Sequence, residues 1–225
     1  MQTMLNVSES LVARKSVRAF LDKPVDAELI KQILGSARHA PSGTNTQPWQ
    51  VAVVSGLTKQ QLDEKLIAAF RSNIPKELDY KYYPESVTLE MKRRLLECGL
   101  QMYQTLAIER GDTGKRLLQW EKNYSAFGAP VVMYIFMPKI IEKGSFLDCG
   151  MFIQSISLMA TSLGLATCVQ AALAEYPNIV REQLQYTNDM LLVCGIALGY
   201  EDKAAVVNNY RTPREELDKF VRFFA

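Results

Sequence analysis

The 225-residue sequence holds one histidine, His39, and only four cysteines, Cys98, Cys149, Cys168 and Cys194. No two cysteines stand at metal-ligand spacing, so neither a zinc site nor a disulfide framework is expected. The thiols read as small buried hydrophobes or reactive groups in a reducing compartment. A single histidine leaves little for a histidine-based triad, and at a helix end His39 reads as structural, favoured there by the helix dipole. Charge of one sign is not in excess. With 26 Lys and Arg against 24 Asp and Glu, a net charge of +2 argues against nucleic acid or an anionic membrane as the main partner. The most apolar long segment, residues 146–163, is interrupted by Asp148, Gln154, Ser155, Ser157 and Ser162, which makes it a buried helix rather than a membrane span. Residues 1–10 lack a basic stretch followed by an apolar one, so no secretory leader is expected and the chain reads as cytoplasmic. The glycine fingerprints of dinucleotide and P-loop sites are missing, as is the Gly-x-Ser-x-Gly elbow. If the protein is an enzyme, a bound cofactor carries the chemistry.

What is present is ordinary globular material, 48% apolar and 22% charged, enough for one domain with a substantial core. Helical and strand patterns alternate. A short helix capped by Ser8 leads into Arg-Lys-Ser-Val-Arg at 14–18, which reads either as a solvated helix end or as an anion site of forked guanidiniums plus a hydroxyl. Asp26 is the expected N-cap of a helix whose Leu29, Ile30, Ile33, Leu34 and Ala37 share one face. Residues 39–49, His-Ala-Pro-Ser-Gly-Thr-Asn-Thr-Gln-Pro-Trp, cannot continue that helix and present small hydrogen-bonding groups between two scaffold elements.

A buried strand is expected at 51–54, and a helix with a capping box at Thr58 follows it. Residues 72–87 have no clear period and are expected to form a variable wall over a site. A helix at 88–109 stopped by Gly111, another at 113–123 and a central strand at 131–137 come next. A helix at 145–163 ended by Gly164, a strand from 165, a helix opened by Pro177 and a strand at 190–198 complete the body. Thr-Pro-Arg-Glu at 212–215 has the form of a second capping box, predicting a helix in the tail. The sum is an α+β or α/β sandwich of about four strands.

Several of these segments together resemble the nitroreductase family of FMN enzymes. They are the cluster at 14–18, Ala-Arg-His-Ala-Pro-Ser-Gly-Thr-Asn-Thr-Gln-Pro-Trp at 37–49, Phe-Gly-Ala-Pro at 127–130, Gly-Leu-Ala-Thr-Cys-Val-Gln at 164–170 and the tail Arg211. The resemblance covers nearly the whole chain, and the first two segments in this order carry most of its specificity. It implies an α+β fold, an α/β/α sandwich with a mostly antiparallel sheet of four to five strands, in an intertwined homodimer. The whole chain, 1–225, would be one FMN-binding domain with an irregular excursion at about 72–125.

Carried over, Arg14, Lys15, Ser16 and Arg18 would face the flavin phosphate and its N1–C2=O side, joined by Arg211. Pro41, Ser42, Gly43, Asn45 and Gln47 would reach the flavin of the partner subunit. Val169, Gln170 and Ala171, with Ala172 beside them, would cross the ring near N5, and Asn209 is a weaker member. Lys15 stands where the family often has arginine, a change of no consequence if that position acts through its backbone. Trp120, Tyr124 and Phe127 are candidates for an acceptor pocket or for core packing. The implied activity passes a hydride from NAD(P)H through flavin N5 to nitroaromatic or similar electron-poor acceptors in a ping-pong cycle. No protein acid is required at the hydride step. Dehalogenation of iodotyrosine-like substrates, hinted at by Pro-Ser-Gly at 41–43, flavin fragmentation, ene or quinone reduction, and a non-catalytic flavin-binding role are the alternatives.

Overall fold

The computed structural model describes residues 4–141 and 143–224. The first three residues of the stretch read for a leader lie outside the described residues. Four strands form one antiparallel sheet in the order β1-β2-β4-β3: β1 (Gln50–Ser55), β2 (Val131–Pro138), β3 (Ala166–Gln170) and β4 (Met190–Gly199). The two central strands are apolar because both of their faces are covered. Val132, Tyr134 and Phe136 of β2 point into one core with Leu62 and Leu66 of α3 (Gly56–Arg71) and Val180 of α7 (Pro177–Leu184). The intervening Val131, Met133, Ile135 and Met137 enter a second core. It is shared with Ile33 of α2 (Ala27–Ala37) and with Phe152, Ile156 and Ala160 of α6 (Gly144–Ser162). The period-2 alternation of β2 thus builds an α/β/α sandwich.

Most predicted boundaries agree with the structure. Asp26 caps α2 by accepting from Glu28 N–H, Pro177 opens α7, and Gly164 takes φ +76° after α6. The differences have local causes. Asn6, not Ser8, caps α1 (Val7–Ala13), in a reciprocal box with Glu9. Helix α3 starts at Gly56, ahead of Thr58, so the Thr58 box does not form. Strand β1 lies at the sheet edge and is only partly buried; Val54 enters the core while Val53 is 43% exposed. Helix α4 (Leu89–Thr105) ends before Gly111, where Ala107 turns to φ +51°. Helix α5 (Thr113–Glu121) gives way to a 3-10 turn, Lys122–Gly128, because Ala126 and Phe127 adopt φ +50° and +56°. The tail carries no helix at 212–215, only a 3-10 turn at Leu217–Lys219.

Residues 72–88 hold no helix or strand, as expected, but they are pinned to the body. Tyr80 Oη donates to Val193 O at 2.7 Å, and Asp79 pairs with Arg181, both side chains 5–6% exposed. The same carboxylate accepts from Leu192 N–H at 2.9 Å. Removing one partner of a buried pair strands the other charge. Asp79→Ala is therefore expected to lower unfolding stability by about 3–5 kcal/mol in guanidinium titrations. A loss under about 1 kcal/mol would show that the pair does not hold the segment down.

Candidate functional site

Segment 14–20 reaches the sheet by pairing along β3. Val17 N–H donates to Thr167 O at 3.1 Å, and Ser16 bridges Thr167 in parallel sense. The tail returns over the same place because Asn208, 2% exposed, ties the two together. Its side-chain carbonyl accepts from Arg18 N–H at 2.8 Å, and its amide donates to Ala19 O and Asp202 O, both at 2.9 Å. Arg211 Nη2 then donates to Arg14 O at 2.7 Å. The product is a hollow of about 180 Å³ whose wall includes Arg14, Lys15, Ser16, Arg18, Tyr210, Arg211 and Arg214.

Its electrostatics are unbalanced. None of Arg14, Arg18, Arg211 and Arg214 has a carboxylate within 4.0 Å among the described residues. Burial, then Arg214, then Arg211 hold the Arg14 guanidinium below its ordinary pKa. Lys15 differs. Its Nζ pairs with Glu201 at 2.7 Å and donates to Asn208 O at 2.6 Å, so the ammonium is spent on the scaffold. Concentrated guanidinium with no acid to balance it is a site for an anion.

A second hollow, about 420 Å³, adjoins the first, with Arg18, Tyr210 and Cys98 common to both walls. Val169, Gln170, Ala171 and Ala172 form its strand side; Tyr82, Tyr83, Met102, Tyr103, Trp120 and Phe127 face them. Gln170 is 4% exposed. Its Nε2 donates to Asn123 O at 3.1 Å and Oδ1 at 3.2 Å, while Oε1 is buried without a partner. A carbonyl cannot donate, so the contact to Asn123 O fixes the amide orientation and leaves the acceptor for a donor from outside the chain.

Of the aromatic candidates, Trp120 lines the wall, and Phe127 lines it while also packing in the core. Tyr124 does not line it. It is fully buried, packs in tilted contact with the rings of Phe70 and Tyr176, and donates to Glu175. Asn209 is exposed and lines neither hollow; its neighbour Asn208 does the structural work. Arg214, Tyr103 and Tyr210 are wall residues that the sequence pattern did not single out.

The loop after α2 stands apart from both hollows. Pro41, Ser42, Gly43, Asn45 and Gln47 line neither wall. The loop is nonetheless built rather than slack. Ser42 Oγ accepts from Gln47 N–H at 3.0 Å, and Gly43 N–H donates to Asp148 of α6 at 3.1 Å. Trp49 stacks on Phe152 at 4.5 Å. His39 is exposed at the loop's start and lines neither hollow.

A basic hollow thus lies beside a partly apolar one. The sequence profile of the Nitroreductase family matches residues 11–200. The chain belongs to the nitroreductase family. It is 35% identical over 213 residues to the 4-nitrobenzoate reductase of Pseudomonas putida, covering 95% of this chain and 93% of that protein. Among solved structures it is similar to the FMN and NADPH-dependent nitroreductase NfnB from sphigopyxis sp. strain HMH. That likeness has a TM-score of 0.94 at 37% identity and covers 98% of this chain and 100% of that one. Similarity to the iodotyrosine deiodinase of Daphnia pulex is confined to 68 residues, 30% of this chain.

The thiols of this chain fall into two kinds. Burial pushes Cys149 and Cys168 up to about 11 and Cys194 up to about 12, so none forms thiolate near neutrality. Cys98 alone is exposed, on α4 where the two hollows meet. A thiol reagent at pH 8 is expected to modify one cysteine of the native, ligand-free protein and four after denaturation. Cys98→Ser should abolish the native reaction; residual native labelling would show that a buried thiol is accessible.

Proposed function

We propose that the chain is an FMN-dependent oxidoreductase that passes a hydride from NAD(P)H to nitroaromatic or similar electron-poor acceptors. The observation that carries this reading is the hollow of uncompensated arginines opening onto the Val169–Gln170 edge of β3. The donor set fits the cofactor. A phosphate monoester brings nearly two negative charges and three acceptor oxygens, which Arg14, Arg211 and the Ser16 hydroxyl can satisfy. Bound FMN would supply a ring that takes a hydride at N5 and yields it to a second substrate. Arg18, on both walls, carries positive charge from the phosphate end towards the ring end. Lys15 contributes through its backbone, since its ammonium is committed to Glu201. The unpartnered Oε1 of Gln170 offers an acceptor to a ring or ribityl donor. Trp120 and Phe127 wall the acceptor space with Tyr82, Tyr83 and Tyr103, excluding water from a planar guest.

The same reading makes residues 1–225 one functional unit that works as a homodimer with two shared FMN sites. Pro41, Ser42, Gly43, Asn45 and Gln47 would serve the partner's hollow. Exposed apolar surface supports this. Leu89, Leu95, Leu96 and Leu100 of α4 and Phe220, Phe223 and Phe224 of the tail lie open in the single chain. No helix among the described residues is long and apolar enough to cross a membrane. Four free thiols accord with a reducing, cytoplasmic setting.

The purified protein is expected to be yellow and to oxidise NADH or NADPH with a nitroarene as acceptor; a colourless protein that takes up no FMN would refute the proposal. Arg14→Ala should weaken FMN retention about tenfold or more and change stability by under about 1 kcal/mol. Equal FMN affinity in that variant would remove Arg14 from the phosphate site.

A further inference from the structure

The larger hollow is walled mainly by aromatic and apolar groups, yet one carboxylate stands among them. Glu175 closes the 3-10 turn Ala171–Ala174 after β3 and is the only acid on that wall, with a side chain 13% exposed. It is held from two sides. Lys76 Nζ pairs with its Oε2 at 2.9 Å, and Tyr124 Oη of the turn Lys122–Gly128 donates to the same oxygen. Glu77 N–H donates to Glu175 O at 3.0 Å, which fixes Lys76 beside the acid. Tyr83 and Tyr176 lie near enough to sense its charge. Among the described residues no hydrogen bond reaches Oε1. Burial, and then the bond to Glu175, hold the Tyr124 phenol well above its ordinary pKa, so Tyr124 keeps its proton and acts as a clamp. Lys76 is different. Its side chain is 38% exposed, and its ammonium lies 5.3 Å from the centroid of the Trp120 ring. The pair therefore runs from solvent to a hollow whose aromatic wall keeps water away from a guest.

We propose that the Lys76–Glu175 pair delivers the proton consumed when a nitro group is reduced in this hollow, with Glu175 as the catalytic residue facing the acceptor. The inference rests on the reading that a nitroaromatic acceptor enters this hollow beside FMN. Reduction of a nitro group to the nitroso level takes two electrons and two protons. Both electrons and one proton arrive as a hydride from NAD(P)H by way of the cofactor. The second proton leaves Lys76 Nζ and is taken up by one oxygen of Glu175 as the other oxygen gives one to the nitro group. One N–O bond breaks and water leaves. Glu175 ends as the carboxylate it began as, and Lys76 regains its proton from solvent. The hydride step itself still needs no protein acid.

The test isolates the oxidative half of the cycle. FMN-loaded wild type, Glu175→Gln and Lys76→Met are reduced anaerobically with NADPH or NADH, mixed with an acceptor, and followed by flavin absorbance. One acceptor is nitrobenzene, which is neutral and so indifferent to the lost charge; the other is ferricyanide, which takes electrons and no proton. Glu175→Gln is expected to slow reoxidation by nitrobenzene about tenfold or more, and Lys76→Met about fivefold, because a positioned acid contributes at least that much. Ferricyanide rates and FMN dissociation constants should stay within about twofold of wild type. A nitrobenzene rate within about twofold of wild type in either variant overturns the relay. So does equal slowing with both acceptors, which would mean that the hollow is merely damaged. Wild type that ferricyanide reoxidises but no nitroarene does refutes the acceptor reading itself, a failure visible before either variant is made.

Discussion

Asn208 is the constraint on which the site depends. It is separated from segment 14–20 by nearly the whole chain, and its side chain uses both ends to join the two. The amide carbonyl takes Arg18 N–H, the amide nitrogen serves Ala19 O and Asp202 O, and its own backbone carbonyl receives Lys15 Nζ. A buried amide with this many partners is costly to leave half satisfied, which gives the crossing a single geometry. Phe20 opposite Glu201 and Ser16 beside Thr167 extend the same join into the sheet.

That join works against electrostatics. Bringing Arg14, Arg18, Arg211 and Arg214 around one hollow is unfavourable by itself; burial first, and then the charges of Arg214 and Arg211, hold the Arg14 guanidinium below its ordinary pKa. The fold tolerates it by fixing the guanidiniums through neutral oxygens rather than through acids: Arg18 on Tyr210 Oη, Arg211 on Arg14 O, Arg214 on Thr212 and Pro213. Backbone carbonyls and hydroxyls orient a cation without cancelling its charge. A carboxylate in any of these positions would stabilise the tail more and leave less field for a ligand. Acids are present near by, but Glu201 is occupied with Lys15 and Glu215 with Arg94.

The sequence made some of this legible and hid the rest for identifiable reasons. The sandwich was readable because β2 alternates cleanly between two apolar faces and because Asp26, Pro177 and Gly164 act locally. Arg14, Ser16, Arg18 and Arg211 were readable as a cluster through resemblance, since only that brings the two ends of the chain together. Tyr124 stayed open between pocket wall and core, because an aromatic in a loop-like stretch looks the same whether it faces a cavity or Glu175; the structure places it in the core. The Asn208–Asn209 doublet gave no clue which member turns inward. Residues 212–215 misled most: a capping box is a statement about short-range partners, and here Arg94 and the Arg214 guanidinium compete successfully for both of its polar groups.

The loop that follows α2 shows a similar trade of local comfort for aim. Thr44, Asn45 and Gln47 all have positive φ, 48°, 61° and 46°, and none is glycine. Such residues cost on the order of 1 kcal/mol or more each and persist where surroundings over-determine them. Here the surroundings are explicit: the Ser42 hydroxyl on Gln47 N–H, Asp148 on Gly43, and the Trp49–Phe152 stack. Yet the exposed side chains so arranged serve neither hollow of their own chain. On the proposed homodimer they serve the partner's, and a thermodynamic consequence follows. A cofactor touched by both subunits binds the assembled pair better than the separated chains, so by linkage it strengthens assembly by the same factor that assembly strengthens its binding. On that proposal loop strain, exposed helix α4 and uncompensated arginines would be parts of one balance, each unfavourable alone and relieved together by the second chain and the phosphate.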